Sequence, residues 1–258
     1  MNNENQLNTR SFFNNDNSTL LEISKAEIQG LGEQELRELI NLTDFWSDGV
    51  ADSRFAIYEP NPVMRPFHFS KAKTKCIFGG NRSGKSFSAV VEMGIHFTGI
   101  VPKSLEGKQL CFPPNVRIRH CCADYPNIFE KVIWPTIKTI IPNDYIADVI
   151  KEQGRIKAIT NKHGGFIEFM FYEQPLTKFF GASRHLVCYD EEPPESIRDE
   201  NLMRLVDTNG HEYFFFTPVS GIDRPMIWAY DKLLKQASRV VEKVNGAISD
   251  ISVPDGDP

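Results

Sequence analysis

Cys76-Ile77-Phe78-Gly79-Gly80-Asn81-Arg82-Ser83-Gly84-Lys85-Ser86 is the stretch that decides the fold. It fits G-x-x-x-x-G-K-[ST] at every fixed position. The apolar run at 75–78 reads as a strand, and residues 87–97 beyond it are helix-compatible. A glycine-rich loop between a strand and a helix gathers backbone N–H groups into a concave anion site at the helix N-terminus. In that setting Gly79, Gly80, Asn81, Arg82, Ser83 and Gly84 cradle phosphates, Lys85 reaches the β- and γ-phosphates, and the Ser86 hydroxyl holds Mg²⁺. A Gly-Ser turn ahead of a helix is common. The strand before it and the helix after it make this one a phosphate site.

The chain of 258 residues, 41% apolar and 24% charged, has room for one large α/β domain with a small appendage and a substantial core. A net charge of -5 and a pI near 5.7 argue against a uniformly basic nucleic-acid binder. They leave room for a local basic patch, or for one completed by oligomerisation. No apolar run approaches the length of a membrane span, and the N-terminus has no signal-peptide core. A soluble, intracellular chain with no membrane partner is therefore expected. Five cysteines form no C-x-x-C pair, and Cys76 and Cys188 sit inside apolar, strand-like runs. His120-Cys121-Cys122 and His185-x-x-Cys188 can be imagined as a zinc site. Neighbouring side chains on a strand face opposite ways, however, so reduced, buried thiols are the reading.

Residues 1–23 are expected to be a flexible arm, rich in Asn and lacking periodicity over 1–19. Residues 24–224 form the core, and 225–258 a C-terminal lid helix and linker. A helical stripe runs through Ile28, Leu31, Leu36, Leu39 and Ile40. The Pro-rich lead-in at 58–68 is extended and cannot be a regular helix. Strand character follows at 116–123, 155–160, 166–172, 185–189 and 212–216; the second and third of these form a hairpin around 161–165. Helical character marks 128–141, interrupted by Pro135, then 195–206, and 225–244 as a last amphipathic helix. Alternating strands and helices imply a mainly parallel sheet covered on both faces, with the hairpin as an antiparallel excursion.

A phosphate loop alone hydrolyses nothing, so an acidic partner on a second strand is required. His185-Leu-Val-Cys-Tyr-Asp190-Glu191-Glu192-Pro-Pro194 supplies it. An apolar strand ending in Asp places Asp190 to hold Mg²⁺ opposite Ser86. Glu191, one residue further, is placed to orient and polarise an attacking water. Glu192 reads as a supporting residue. An acidic loop after a strand is by itself an ordinary solvated turn; the complete phosphate loop upstream is what changes its weight. Thr217, where the strand 212–216 emerges, either senses the γ-phosphate or closes the strand as a Thr-Pro turn.

Gly79–Ser86 resembles the phosphate loop of the large terminase subunits of tailed bacteriophages. The stretches 179–194, Leu202-x-x-Arg-Leu-x-Asp-Thr-Asn-Gly210 and Phe216-Thr-Pro-Val-Ser-Gly221 are similar to that family's acidic-strand and coupling regions, in the family's order and spacing. The resemblance covers about residues 55–225. It implies a P-loop NTPase fold of the ASCE type, the class with an added strand carrying the catalytic Glu. It also implies an ATPase that drives double-stranded DNA into a procapsid, with ATP and Mg²⁺ as cofactors. The implied partners are the procapsid portal, the small terminase subunit and further copies in a homo-oligomeric ring, expected as a pentamer. The implied location is the host cell cytoplasm, transiently docked on the procapsid. Arg82 maps onto an arginine proposed to sense the γ-phosphate, and Thr217 onto the coupling motif.

Two departures accompany the likeness. Large terminases continue into a nuclease domain, whereas this sequence stops at Pro258, so no nuclease activity is expected of it. Relatives often carry a Gln before the loop that reads adenine; here Met64-Arg65-Pro66 stands there, and Pro62 or Phe67 would pack on the base. A motor ring also needs an arginine from a neighbouring subunit, for which Arg184 and Arg155 are the candidates. The competing readings are a nucleotide-dependent switch or assembly module, and a helicase-like ATPase with slow hydrolysis.

Overall fold

The strand ahead of the phosphate loop forms as expected, as β1 (Thr74–Phe78), and the helix after the loop is α2 (Lys85–Thr98). The computed structural model describes residues 32, 55–217, 228, 232–233, 237, 239–244 and 247–252; the last two ranges are described by backbone alone. All but residue 32 belong to one compact unit, Asp52–Pro258. Besides three short 3-10 turns, the other described elements are α1 (Arg65–Phe69), β2 (Arg117–Cys122), a wide π-type helix (Tyr125–Ile133) continuing into α3 (Trp134–Ile140), and β3 (Asp148–Glu152). They are followed by β4 (Arg155–Thr160), β5 (Phe166–Phe171), β6 (Leu186–Asp190), α4 (Glu195–Leu205), β7 (His211–Phe216), β8 (Arg239–Val244) and β9 (Ala247–Ser252).

Seven of these strands make one sheet in the order β1-β7-β6-β2-β5-β4-β3. Neighbours from β1 through β5 are parallel, while β4 and β3 add on antiparallel. This is the expected P-loop architecture, because β7 stands between the loop strand β1 and the acidic strand β6. Register then fixes the site. Phe78 pairs with Phe216 and Asp190 with Phe215, so Gly79, Glu191 and Thr217 leave the sheet at one level.

Strand alternation divides the core in two. Ile118, Leu186, Cys188, Tyr213 and Phe215 point to the face covered by α1, α2 and the helix pair 125–140. Cys121, Val187, Tyr189, Phe214 and Phe216 point to the face covered by α4 and residue Phe179. The Tyr189 and Phe214 rings stack at 4.6 Å across β6 and β7. Burying each such ring contributes about 1.5–3 kcal/mol, which locks the two strands that carry Glu191 and Thr217.

Three expectations change. The lead-in is not extended throughout: α1 forms a short helix at Arg65–Phe69. Pro66 occupies its first turn, where a missing N–H costs nothing. The hairpin gains an outer strand, β3, joined to β4 through Gln153 (φ 51°) and Gly154 (φ 80°), the paired positive φ of a tight hairpin turn. The helix expected over 225–244 gives way from Arg239 to β8, and β9 (Ala247–Ser252) lies where the rest of 225–258 was expected to be linker. The strands pair antiparallel from Val244↔Ala247 outward. Val240, Val241 and Val244 are β-branched, and Asn245-Gly246 is the residue pair preferred in two-residue hairpin loops.

Candidate nucleotide site

The loop is built for close approach. A Cβ on Gly79 would stand 2.8 Å from Ser83 Oγ. Gly84 caps α2 at φ 91° and offers no side-chain acceptor. The first-turn N–H groups of α2 therefore face outward without a protein cap, which fits an anionic ligand. Ser83 Oγ is buried without a hydrogen-bond partner among the described residues, a second polar atom that fits a phosphate oxygen. Arg82 sits at the exposed tip with φ 62°. The loop is anchored to β7 by Gly79 N–H donating to Phe216 O at 3.1 Å.

The Lys85 ammonium donates to the carbonyls of Gly79 (2.7 Å) and Gly80 (2.9 Å). Burial lowers its pKa, and the charges of Glu191 and Asp190 pull the other way. Ser86 Oγ donates to the Asp190 carboxylate at 3.1 and 3.3 Å. Asp190 is only 3% exposed. Burial pushes its carboxyl up to about 6, the Glu191 charge adds to that, and the Ser86 hydrogen bond and Lys85 oppose it. A hydroxyl and a carboxylate side by side form a hard oxygen pair that fits Mg²⁺, a metal that keeps most of its other ligands as water and phosphate. Among the described residues no group of three or more His, Cys, Asp or Glu is placed to hold a metal ion.

Glu191 is fixed at every polar group. Its N–H donates to Phe215 O at 3.0 Å. Oε2 accepts from Thr217 N–H at 2.9 Å and Oε1 from the Thr217 hydroxyl at 2.6 Å. Its backbone is left-handed, φ 67°. Thr217, the residue after β7, thus holds the Glu191 carboxylate, a contact that neither sequence reading of it had named. The turn continues to Pro193, whose carbonyl accepts from the Trp228 indole at 3.0 Å.

The structure brings Gly79 through Ser86, Asp190, Glu191 and Thr217 together, but not Phe67 or Arg184. Phe67 is corrected from base contact to core residue. α1 turns its ring inward to 8% exposure, edge-on to Tyr213 and Phe215. Arg184 is corrected from a neighbour-reaching arginine to a buried structural one. At 6% exposure it lies ahead of β6, at the sheet end opposite the loop, and its Nε donates to Glu168 at 2.6 Å. Glu168 also pairs with Arg119 at 2.5 Å.

Sequence reasoning did not reach two further groups. Tyr172, just past β5, places its hydroxyl beneath the Asp190-Glu191 turn; a tyrosine closing an apolar strand carries no local signal of that reach. Glu92 on α2, fully buried, meets Lys108 Nζ at 2.9 Å, Lys75 Nζ at 3.3 Å and His68 Nδ1 at 3.3 Å. Burial pushes the Glu92 carboxyl up, but His68, Lys75 and Lys108 outweigh it and hold the pKa well below the usual range. Tyr58 extends this cluster, its hydroxyl lying 2.8 Å from His68 Nε2 and 3.3 Å from Ser88 Oγ. The lead-in is thereby tied to the helix that carries Ser86.

The sheet order and the loop together define a P-loop NTPase fold with an extra strand beside the loop strand. No protein-family model and no curated protein matches the chain. Among solved structures it is similar to the large terminase ATPase domain of Thermus phage P74-26, at 17% identity and TM-score 0.45, over 64% of this chain and 68% of that one. An arginine-to-alanine variant of the same domain gives 17% identity and TM-score 0.46, over 69% and 71%. A large terminase from a thermophilic bacteriophage in complex with ADP gives 19% identity and TM-score 0.37, over 60% of this chain and 37% of that one. At these identities the likeness is one of fold.

Proposed function

We propose that the chain is an ATPase that hydrolyses ATP to ADP and phosphate and couples this to moving double-stranded viral DNA into a procapsid. The observation that carries hydrolysis is the Glu191 carboxylate beside Asp190, held on the neighbouring strand by Thr217. In this reading the loop N–H groups and Lys85 bind the β- and γ-phosphates, and Ser86 with Asp190 holds Mg²⁺. The metal, when bound, neutralises charge developing on the phosphate oxygens. Glu191 orients the attacking water and takes its proton. Thr217 sets the direction of the Glu191 carboxylate, and Arg82, at the loop tip, reads the γ-phosphate.

The DNA-motor part rests on the resemblance of the loop, the acidic strand and the Thr217 turn to those of large terminases. It brings the portal, the small terminase subunit, a homo-oligomeric ring and a host-cytoplasmic, procapsid-docked location. The trans-acting arginine in this reading is Arg155. It is exposed, lies against the Tyr125 ring at 5.0 Å, and stands at the loop end of the sheet. Five strand spacings, about 24 Å, separate β4 from β1, so it serves a neighbour's site.

The test is Glu191→Gln. ATP binding is expected to persist while hydrolysis falls by at least about 100-fold, the usual worth of a positioned base. Unchanged hydrolysis removes Glu191 from its role. Protection of double-stranded DNA from nuclease by procapsids, portal and ATP tests the motor part, and a switch module would give none.

A further inference from the structure

Tyr172 leaves β5 on the side of β6 away from β7, and its hydroxyl reaches three carbonyls at the loop end of the sheet. Glu191 O is 2.9 Å away, Cys121 O 3.2 Å and Asp190 O 3.3 Å. One hydroxyl has one proton to donate, and the shortest contact assigns it to Glu191. The ring meanwhile packs against the cluster of Val187, Tyr189 and Phe214.

Glu191 needs such a partner. A residue bearing a Cβ enters the left-handed region only where its surroundings hold it there. Here Phe215 O holds the N–H before the Cα, and Tyr172 holds the carbonyl after it. The side chain between them is then aimed at Thr217, which meets both carboxylate oxygens. Without the hydroxyl the peptide after Glu191 is free to rotate out of this conformation, and the carboxylate goes with it.

We propose that Tyr172 is a positioning residue for hydrolysis: its hydroxyl pins the peptide after Glu191 and so fixes the carboxylate on Thr217. This rests on the ATPase reading of the site. Tyr172 acts through Glu191, whose carbonyl its hydroxyl meets. Its burial pushes the phenol well above its ordinary pKa, so it remains a donor across the working pH range.

Tyr172→Phe keeps the ring and removes the donor. The first readout is amide exchange by NMR at Thr217, whose N–H donates to the Glu191 carboxylate. It is expected to speed up about tenfold, the worth of one net hydrogen bond. Gly79 N–H, bonded to Phe216 O, serves as the control and is expected to hold its rate. The second readout is kinetic: kcat falls about tenfold with the KM for ATP unchanged. Adding Tyr172→Phe to Glu191→Gln produces no further loss, because the group it positions is already disabled. Unchanged Thr217 exchange overturns the proposal, as does an equal rise at Thr217 and Gly79, which marks general loosening. A full additional loss in the Glu191→Gln background overturns it too. Should the parent chain fail to hydrolyse ATP, the functional reading falls, while the Thr217 amide still decides what Tyr172 holds.

Discussion

Glu92 on α2 and Asp190 on β6 are both buried acids, yet their carboxyls shift in opposite directions. Glu92 has Lys75, Lys108 and His68 around it and is held well below the usual carboxylate range. Asp190 has a hydroxyl, a like-charged neighbour and a lysine whose ammonium is bonded elsewhere, and it rises to about 6. The protein neutralises the first acid with its own cations and leaves the second poorly compensated. A carboxylate of the second kind suits a role in holding an external cation, and one of the first kind suits holding a fold together.

The largest expected effect comes from breaking the saturated centre. Glu92→Gln leaves Lys75 and Lys108 buried without their counter-charge, and about 3–5 kcal/mol of unfolding free energy should be lost. Denaturant unfolding measures it; a loss under about 1 kcal/mol would show the cluster to be ornamental. At the other centre the sign reverses. The folded pKa of Asp190 lies above its ordinary 3.8, so the charged form costs stability at neutral pH. Asp190→Asn should therefore stabilise the chain by about 1–3 kcal/mol while abolishing Mg²⁺-dependent tightening of nucleotide binding. A destabilised Asn variant would erase the contrast between the two acids.

The most gradual effect, spread over a range of pH, concerns two buried histidines that make no hydrogen bond among the described residues. Burial holds His96 down to about 4 and His120 to about 3, and neither ring has a hydrogen-bond partner among the described residues. With the ordinary value at 6.5, the unfolded chain binds more protons below that pH. The contribution of these neutral rings is whole above 6.5 and declines on acidification, by up to ~1.4 kcal/mol per histidine per pH unit. Glu92 behaves alike at lower pH, its contribution being present above 4.5 and lost as pH falls through its depressed folded pKa. Unfolding measured at pH 7.5 and 5 should show the histidine slope, and His120→Leu should flatten it. A flat profile in the parent chain would mean that these rings already titrate normally.

Much of this site could be read from the sequence because its parts are local. A phosphate loop is made of backbone conformations that glycines encode over eight residues, and a strand that ends in Asp-Glu places those acids at its own tip. The parallel sheet followed from the alternation of strands and helices. Partners distant in sequence were out of reach. Nothing near Arg184 announces Glu168, and nothing near Glu92 announces Lys75 and Lys108, because ion pairs are set by tertiary geometry. Phe67 is apolar enough to pack on a base or in the core, and the short helix that rotates it inward decides for the core. The C-terminal strands are hard to read because an amphipathic stripe and a β-branched run overlap there.

Trp228 gives the molecule an optical consequence. Its indole N–H is bonded to the carbonyl of Pro193, two residues past Glu191, and its ring lies 6.3 Å from that of Phe214 and beneath the Arg198 guanidinium at 5.1 Å. Indole emission responds to just such a hydrogen bond and a nearby cation. The sequence holds two other tryptophans, Trp46 and Trp134. With both replaced by Phe, the chain becomes its own fluorescent gauge of the acidic turn, read without label or substrate analogue.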